Sequence, residues 1–304
     1  MRQEAYFCTV KELDELGKNN IPRQLISHTH LIYSSPATLA FNSPGAEGFG
    51  VKRAGLAIPD SVMLIVSPGC CGRNTSVLSS MRAYQDRFYY LLMDETDIVT
   101  GRHLKKIPKA VVEICEGLKK KPSVVMICIT CVDALLGTDM ERVCHKAEEY
   151  AEVPVRPCYM YALTREGRKP PMVHVRQSVY SLLEPKKKKG NVVNLLGYFS
   201  PLTDDCELYD LLHGAGVKTI HEISRCKDYA QYQTMSEANF NLVLHPEARF
   251  AAEDFHDRLK IPYIELRRLY QIDKIASQYR ALAAALGVEF EDEIPRKAAE
   301  EAVE

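Results

Sequence analysis

The run Val62-Met63-Leu64-Ile65-Val66, followed at once by Ser67-Pro68-Gly69-Cys70-Cys71-Gly72-Arg73-Asn74, is the stretch from which the fold can be read. Five consecutive apolar residues that stop at a Pro-Gly turn predict a short strand buried on both faces. Asn74 or Thr75 after the turn is suited to cap a helix. The same strand, turn and helix order recurs outward from this point. Ser123 to Ile129 and Pro154 to Pro157 are further strand candidates, each followed by a turn and a helical pattern. This alternation is the signature of parallel βαβ units and predicts an α/β fold with a doubly wound sheet.

At Glu184 to Gly190 the chain reads Glu-Pro-Lys-Lys-Lys-Lys-Gly, without an apolar residue, which predicts a solvated connector. Beyond it the pattern restarts. Strands are predicted at Asn191 to Leu196, Lys218 to Ile223, Asn239 to Leu244 and near Ile264, with helices at Asp205 to Ala215, Glu247 to Lys260 and Ile272 to Leu286. The expectation is two Rossmann-like doubly wound parallel-sheet domains, residues 1–184 and 191–304.

The chain has 304 residues, with 39 Lys and Arg against 40 Asp and Glu, a formal net charge of -1. That balance supplies no global attraction to phosphate backbones, so nucleic acid is not expected as a partner. No apolar run approaches the roughly 18 residues of a membrane helix, and the first twenty residues are charged and lack the apolar region of a signal peptide. A cytoplasmic protein is expected. Its ten cysteines are many for a compartment that does not maintain disulfides, which invites a metal reading. Cys115, Cys144, Cys206 and Cys226 lie in amphipathic or mixed stretches and are read as small buried hydrophobes.

Ligands of open parallel sheets bind beyond the carboxyl ends of strands. Two such positions carry cysteine: Cys70 or Cys71 after the first strand, and Cys131 in Thr130-Cys131-Val132-Asp133-Ala134-Leu135-Leu136-Gly137-Thr138-Asp139 after the second. A thiol near a helix start is favoured as thiolate, the form that ligates metal. Cys128 and Cys131 form a Cys-x-x-Cys, but Cys128 lies inside an apolar strand and is read as facing the core. No phosphate-binding Gly-rich loop for ATP or NAD is recognised; the Gly45 to Gly50 segment follows no strand.

The order of three motifs, Ser67-Pro68-Gly69-Cys70, Asp97-Ile98-Val99-Thr100-Gly101, and Thr130-Cys131 through Leu136-Gly137-Thr138-Asp139, resembles the component 1 subunits of nitrogenase and nitrogenase-like reductases. The second half adds Val193-Asn194-Leu195-Leu196-Gly197, Ala238-Asn239-Phe240-Asn241-Leu242 and Ile261-Pro262-Tyr263 in the order that family uses. The resemblance implies that Cys70 or Cys71, with Cys131, ligates an iron–sulfur cluster between two subunits. A cluster wants about four thiolates, so a 4Fe-4S cluster shared by a homodimer or by a paired homologous subunit is expected. It also implies an ATP-dependent P-loop iron–sulfur reductase as electron donor and a small-molecule substrate. His245 stands where cofactor-bearing relatives have a cluster cysteine, which makes it the candidate catalytic residue; alternatively it caps a strand end before Pro246. The family's third αβ domain has no counterpart in the two units read here. An assembly scaffold for clusters or cofactors, or a metal-free Rossmann-like binding protein, are the competing functions.

Two weaker features complete the reading. Cys158 and the arginines Arg165 and Arg168 are read as following the third strand, where arginine could hold a carboxylate. His28 and His30 are read as local structure.

Overall fold

The computed structural model describes residues 9–20, 44–69, 79, 81–160 and 169–288. A first sheet contains β1 (Val62–Ser67), β2 (Phe88–Leu92), β3 (Val125–Ile129) and β4 (Val155–Tyr159), in the order β2-β1-β3-β4. A second contains β5 (Val192–Leu196), β6 (Thr219–His221), β7 (Phe240–Val243) and β8 (Tyr263–Glu265), in the order β6-β5-β7-β8. Every pairing is parallel. The described helices are α1 (Val10–Leu16), α2 (Pro44–Gly55), α3 (Glu95–Thr100), α4 (His103–Gly117), α5 (Cys131–Leu136), α6 (Met140–Ala151), α7 (Pro171–Tyr180), α8 (Glu207–Gly214), α9 (Tyr229–Gln233), α10 (Arg249–Leu259) and α11 (Ile272–Leu286).

Burial follows the strand period of two. Val62, Leu64 and Val66 of β1, with Val125, Ile127 and Ile129 of β3, face Ile107 and Val111 of α4 and Met140 and Ala147 of α6. The alternate residues Met63, Ile65, Met126 and Cys128 face Val51 and Ala54 of α2 and Val175 and Val179 of α7. That second cluster runs on into Val243, Ala251, Phe255 and Leu259, so α7 joins the two sheets. The far face of the second sheet, Val193, Leu195, Phe240 and Leu242, packs on Leu208 and Leu212 of α8 and Leu282 of α11. Gly55 permits the close approach of α2 to the first sheet: a Cβ there would lie 2.6 Å from Met63 Cε and 2.9 Å from Cys158 Sγ.

The two asparagines of the second-half motifs have a structural use. Asn194 and Asn241 are register partners in β5 and β7, and the Asn194 amide donates to Asn241 Oδ1 (2.7 Å) and to the Met235 carbonyl (2.8 Å). Buried polar side chains of this kind persist where they are hydrogen-bonded.

The lysine run has no helix or strand, but it is not wholly solvated. Lys188 Nζ donates to the Ser236 carbonyl, and Lys189 pairs with Glu237. Cys158 also departs from the sequence reading. It lies inside β4, fully buried, opposite Cys128 of β3, so it is a core residue and does not lie beyond the carboxyl end of the strand. Burial pushes its thiol well above the ordinary value. Arg165, Arg168, His28 and His30 lie outside the described residues.

Candidate functional site

Each sheet reverses its winding between its first and third strands, so each opens a crevice beyond the carboxyl ends of β1 and β3, or of β5 and β7. In the first sheet Val66 pairs with Ile129, which sets the departing chains side by side. Cys70 and Cys71 follow β1 and lie outside the described residues; α5 begins at Cys131. Ser67 and Thr130, at these strand ends, are buried, and their hydroxyls have no hydrogen-bond partner among the described residues. Among the described residues no three His, Cys, Asp or Glu side chains converge on a metal position.

The Asp-Ile-Val-x-Gly motif forms the support beneath this crevice. Asp94 and Asp97 make a reciprocal capping box at the start of α3. The Asp97 carboxylate accepts from Lys106 Nζ (2.7 Å) and Arg102 Nε (2.7 Å), which hold it well below the usual carboxylate range. The Asp97 carbonyl lies 3.0 Å from His103 Nδ1, and His103 Nε2 lies 2.9 Å from Asp133 Oδ1. A carbonyl only accepts, so the Nδ1 contact requires N–H there, and Nε2 faces the Asp133 carboxylate. Thr138 Oγ1 also donates to Asp133 Oδ1 (3.2 Å). The helix starting at Cys131 is therefore tied to the Asp97 motif through one buried imidazole.

In the second sheet the strand-end loops touch. Gly197 has φ +143°, and a Cβ there would lie 2.8 Å from the His245 backbone nitrogen. Arg176 of α7, almost fully buried, donates to the Gly197 carbonyl (2.7 Å) and pairs with Glu247 Oε2 (2.6 Å). His245 Nδ1 accepts from the Glu247 backbone N–H at 3.3 Å, and Tyr198 meets the His245 ring edge-on at 5.7 Å. His245 thus caps the 3-10 turn Pro246–Ala248, and it also borders a cavity of about 550 Å³. Burial lowers the pKa of His245, with Arg176 and Arg268 acting in the same sense. Burial raises that of Glu247 against the opposing pull of Arg176.

The two crevices belong to different sheets, and the described residues bring His245 into contact with neither Ser67 nor Thr130. Sequence reasoning missed His103, Arg176 and Glu247. An arginine between Val175 and Val179 in an amphipathic helix was the available signal for Arg176, because a charge in an apolar stripe needs a buried partner. Of the cysteines read as small hydrophobes, Cys144 is buried, and Cys115, Cys206 and Cys226 are half-buried against the apolar clusters.

Residues 47–304 match the family described as Nitrogenase component 1 type Oxidoreductase. The chain is 27% identical over 239 residues to the nitrogenase iron-molybdenum cofactor biosynthesis protein NifE of Nostoc sp., covering 76% of this chain and 49% of that protein. It is 27% identical over 266 residues to NifE of Klebsiella pneumoniae, covering 80% and 58% respectively. The chain thus spans about half the length of the curated relatives it matches. Nitrogenase Cp1 at pH 6.5 superposes with a TM-score of 0.62 at 17% identity, over 90% of this chain and 63% of that one. At that identity the likeness concerns the fold alone.

Proposed function

Because the chain belongs to the nitrogenase component 1 type oxidoreductases, we propose that it is a subunit holding an iron–sulfur group between two subunits and passing electrons to a small-molecule substrate. In this reading Cys131, with Cys70 or Cys71, supplies the thiolates. The first domain, residues 1–184, carries them, and the second, residues 191–304, carries the substrate-facing His245. The observation that supports it is the adjacency of β1 and β3, from whose ends the two cysteine-bearing segments depart. The donor set suits the group: thiolates ligate iron, and the buried hydroxyls of Ser67 and Thr130, without a partner among the described residues, are donors of the kind that support such ligands. The bound group would supply one-electron chemistry. The chain's own contribution is to fix Cys131 through Asp133, His103 and Asp97, and to present His245 with Nδ1 already engaged by Glu247.

Two or three thiolates per chain leave a 4Fe-4S cluster short of ligands, so the reading includes a homodimer or a paired homologous subunit, in the cytoplasm. The electron donor is an ATP-dependent P-loop iron–sulfur protein. A second reading is favoured by the relatives, which are named as cofactor biosynthesis proteins: an assembly scaffold that passes its cluster on.

Anaerobic purification followed by iron and acid-labile sulfide analysis, with EPR after dithionite reduction, tests the shared core of both readings. About two irons and two sulfides per chain, lost in Cys131→Ala, are expected; iron-free protein from anaerobic cells would overturn it. Reoxidation by a small molecule after ATP-driven reduction then marks the reductase, and cluster transfer to an acceptor apoprotein marks the scaffold.

A further inference from the structure

His245 Nδ1 meets two groups of opposite kind, and both belong to Glu247. The Glu247 backbone N–H donates to it at 3.3 Å, and the carboxylate oxygen Oε2 lies 3.5 Å away, within ion-pair reach. A lone pair on Nδ1 suits the first group, and a hydrogen on Nδ1 suits the second. One residue therefore offers a partner to the neutral ring and another to the imidazolium, with no change in the course of the chain. On its other side the ring borders the cavity, and Nε2 has no partner among the described residues.

The carboxylate is itself held in place. Glu247 is buried, and its Oε2 pairs with Arg176 at 2.6 Å. A proton placed on Oε1 would find no acceptor among the described residues, so the arginine pairing favours the ionised form against the upward push of burial. The other charges around the ring come from different elements: Arg176 from α7, Arg249 from the start of α10, Glu265 from β8, and Arg267 and Arg268 just beyond it. Tyr198, from the loop after β5, meets the ring edge-on. Burial, Arg176 and Arg268 all favour the neutral ring. Among the described residues, Glu247 is the acid at pairing distance from Nδ1, and it acts in the opposite sense.

We propose that Glu247 is a positioning residue that makes His245 a proton-transfer group, able to release and regain a proton at Nε2 while Nδ1 exchanges one Glu247 partner for the other. Uptake of a proton at Nδ1 turns that nitrogen from the N–H to the carboxylate. The imidazolium then gives its Nε2 proton to an acceptor atom in the crevice. The Nε2–H bond breaks as the acceptor–H bond forms, and the ring is left neutral with Nδ1–H on Oε2. Water in the cavity returns a proton to Nε2, and no electron moves on the ring. The inference rests on the reading of His245 as substrate-facing and uses neither the iron–sulfur group nor the identity of the substrate.

The test is a pH titration of the anaerobically purified full chain, labelled with 15N-histidine and followed by long-range 1H–15N correlation spectra, which report the hydrogen on each ring nitrogen. The His245 signals are assigned by their loss in His245→Gln. In the neutral wild-type ring the hydrogen is expected on Nε2. Glu247→Gln keeps the backbone N–H and a neutral oxygen for Arg176 but removes the charge, and is expected to lower the His245 pKa by about one unit. Glu247→Asp keeps the charge and is expected to lower it less. Arg268→Ser is expected to raise it, because Arg268 acts on the ring in the opposite sense. A purely structural Glu247 would change the thermal midpoint of Glu247→Gln and leave the His245 pKa where it was, which would overturn the proposal. Hydrogen on Nδ1 of the neutral wild-type ring would also overturn it, and that result needs no variant to fold. Iron analysis of the same preparation keeps the two readings apart: iron-free protein with the expected titration removes the iron–sulfur reading and leaves this one standing.

Discussion

His103 Nε2 lies 2.9 Å from Asp133 Oδ1 with both side chains buried, and this contact joins the Asp97 motif to the helix that starts at Cys131. The two halves of the contact are unequal under mutation. His103→Leu strands a buried carboxylate and is expected to cost roughly 3–5 kcal/mol. Asp133→Asn keeps the geometry: its amide donates to Nε2 while Nδ1–H still serves the Asp97 carbonyl. It is expected to cost a small fraction of that. Urea midpoints of the two variants are the measurement, and equal losses would contradict the unequal roles of the two side chains.

His174 gives the fold an acid-side weakness. Its ring lies edge-on to Tyr159 at 4.3 Å, and burial, with Lys169 adding to it, lowers its pKa to about 4. In the unfolded chain the same group titrates near its ordinary value. The folded state is therefore at no disadvantage above about pH 6.5, and loses stability as pH falls from there toward 4, because only the unfolded chain takes up the proton. Between pH 7 and pH 4.5 the loss from this one residue is about 2 kcal/mol. His174→Gln is expected to flatten that part of the profile. Glu247, whose pKa is raised, acts in the opposite sense, so the comparison of variant with wild type isolates His174.

Arg176 and Glu247 form a buried pair at 2.6 Å, and Arg176 also donates to the carbonyls of Gly197 and Met172. Truncating the arginine leaves Glu247 buried without its counter-charge, and Glu247 Oε1 already has no partner among the described residues. Arg176→Met is expected to lower stability by roughly 3–5 kcal/mol, with Arg176→Met plus Glu247→Leu recovering part of it. Thermal or urea unfolding of the single and double variants checks the sign of that recovery.

The periodic parts of this fold were open to reading from the sequence, and the conditional parts were not. Ile272–Leu286 is a helix over the residues its pattern predicts, because its apolar stripe packs on the second sheet and Gly287 caps it. The strand ends bearing Cys131 and His245 followed from apolar runs closed by turns. β2 went unread: Phe88–Leu92 is an apolar and aromatic run like β1, but it is closed by Met93-Asp94-Glu95 and not by a Pro-Gly turn, and as an edge strand it leaves Tyr90 and Leu92 exposed. The strand predicted over Lys218 to Ile223 stops at His221. Beyond it Glu222 accepts from Leu202 N–H and Arg225 Nε, and Ile223–Arg225 turns as a 3-10 segment. Cys158 is read as following the third strand because that strand is predicted to end at Pro157, two residues before β4 ends at Tyr159. The buried partners His103 and Arg176 depend on which helix faces which, a tertiary fact that local pattern does not carry.

Gly197 is where backbone conformation and site geometry meet most directly. Its φ of +143° disfavours an L side chain, and a Cβ would fall 2.8 Å from the His245 nitrogen and 2.9 Å from the His245 Cβ. Neither obstacle is the free end of a flexible chain, so alanine cannot be accommodated by a rotamer change. Gly197→Ala is therefore expected to push apart the loops after β5 and β7, at a cost of roughly 2–4 kcal/mol. The displacement moves His245 away from Tyr198, whose ring it meets at 5.7 Å, and reshapes the cavity that both residues line. Iron content should be retained, because Cys131 belongs to the other sheet. Urea unfolding of the variant is the measurement, and wild-type stability would contradict so close an approach of the two loops.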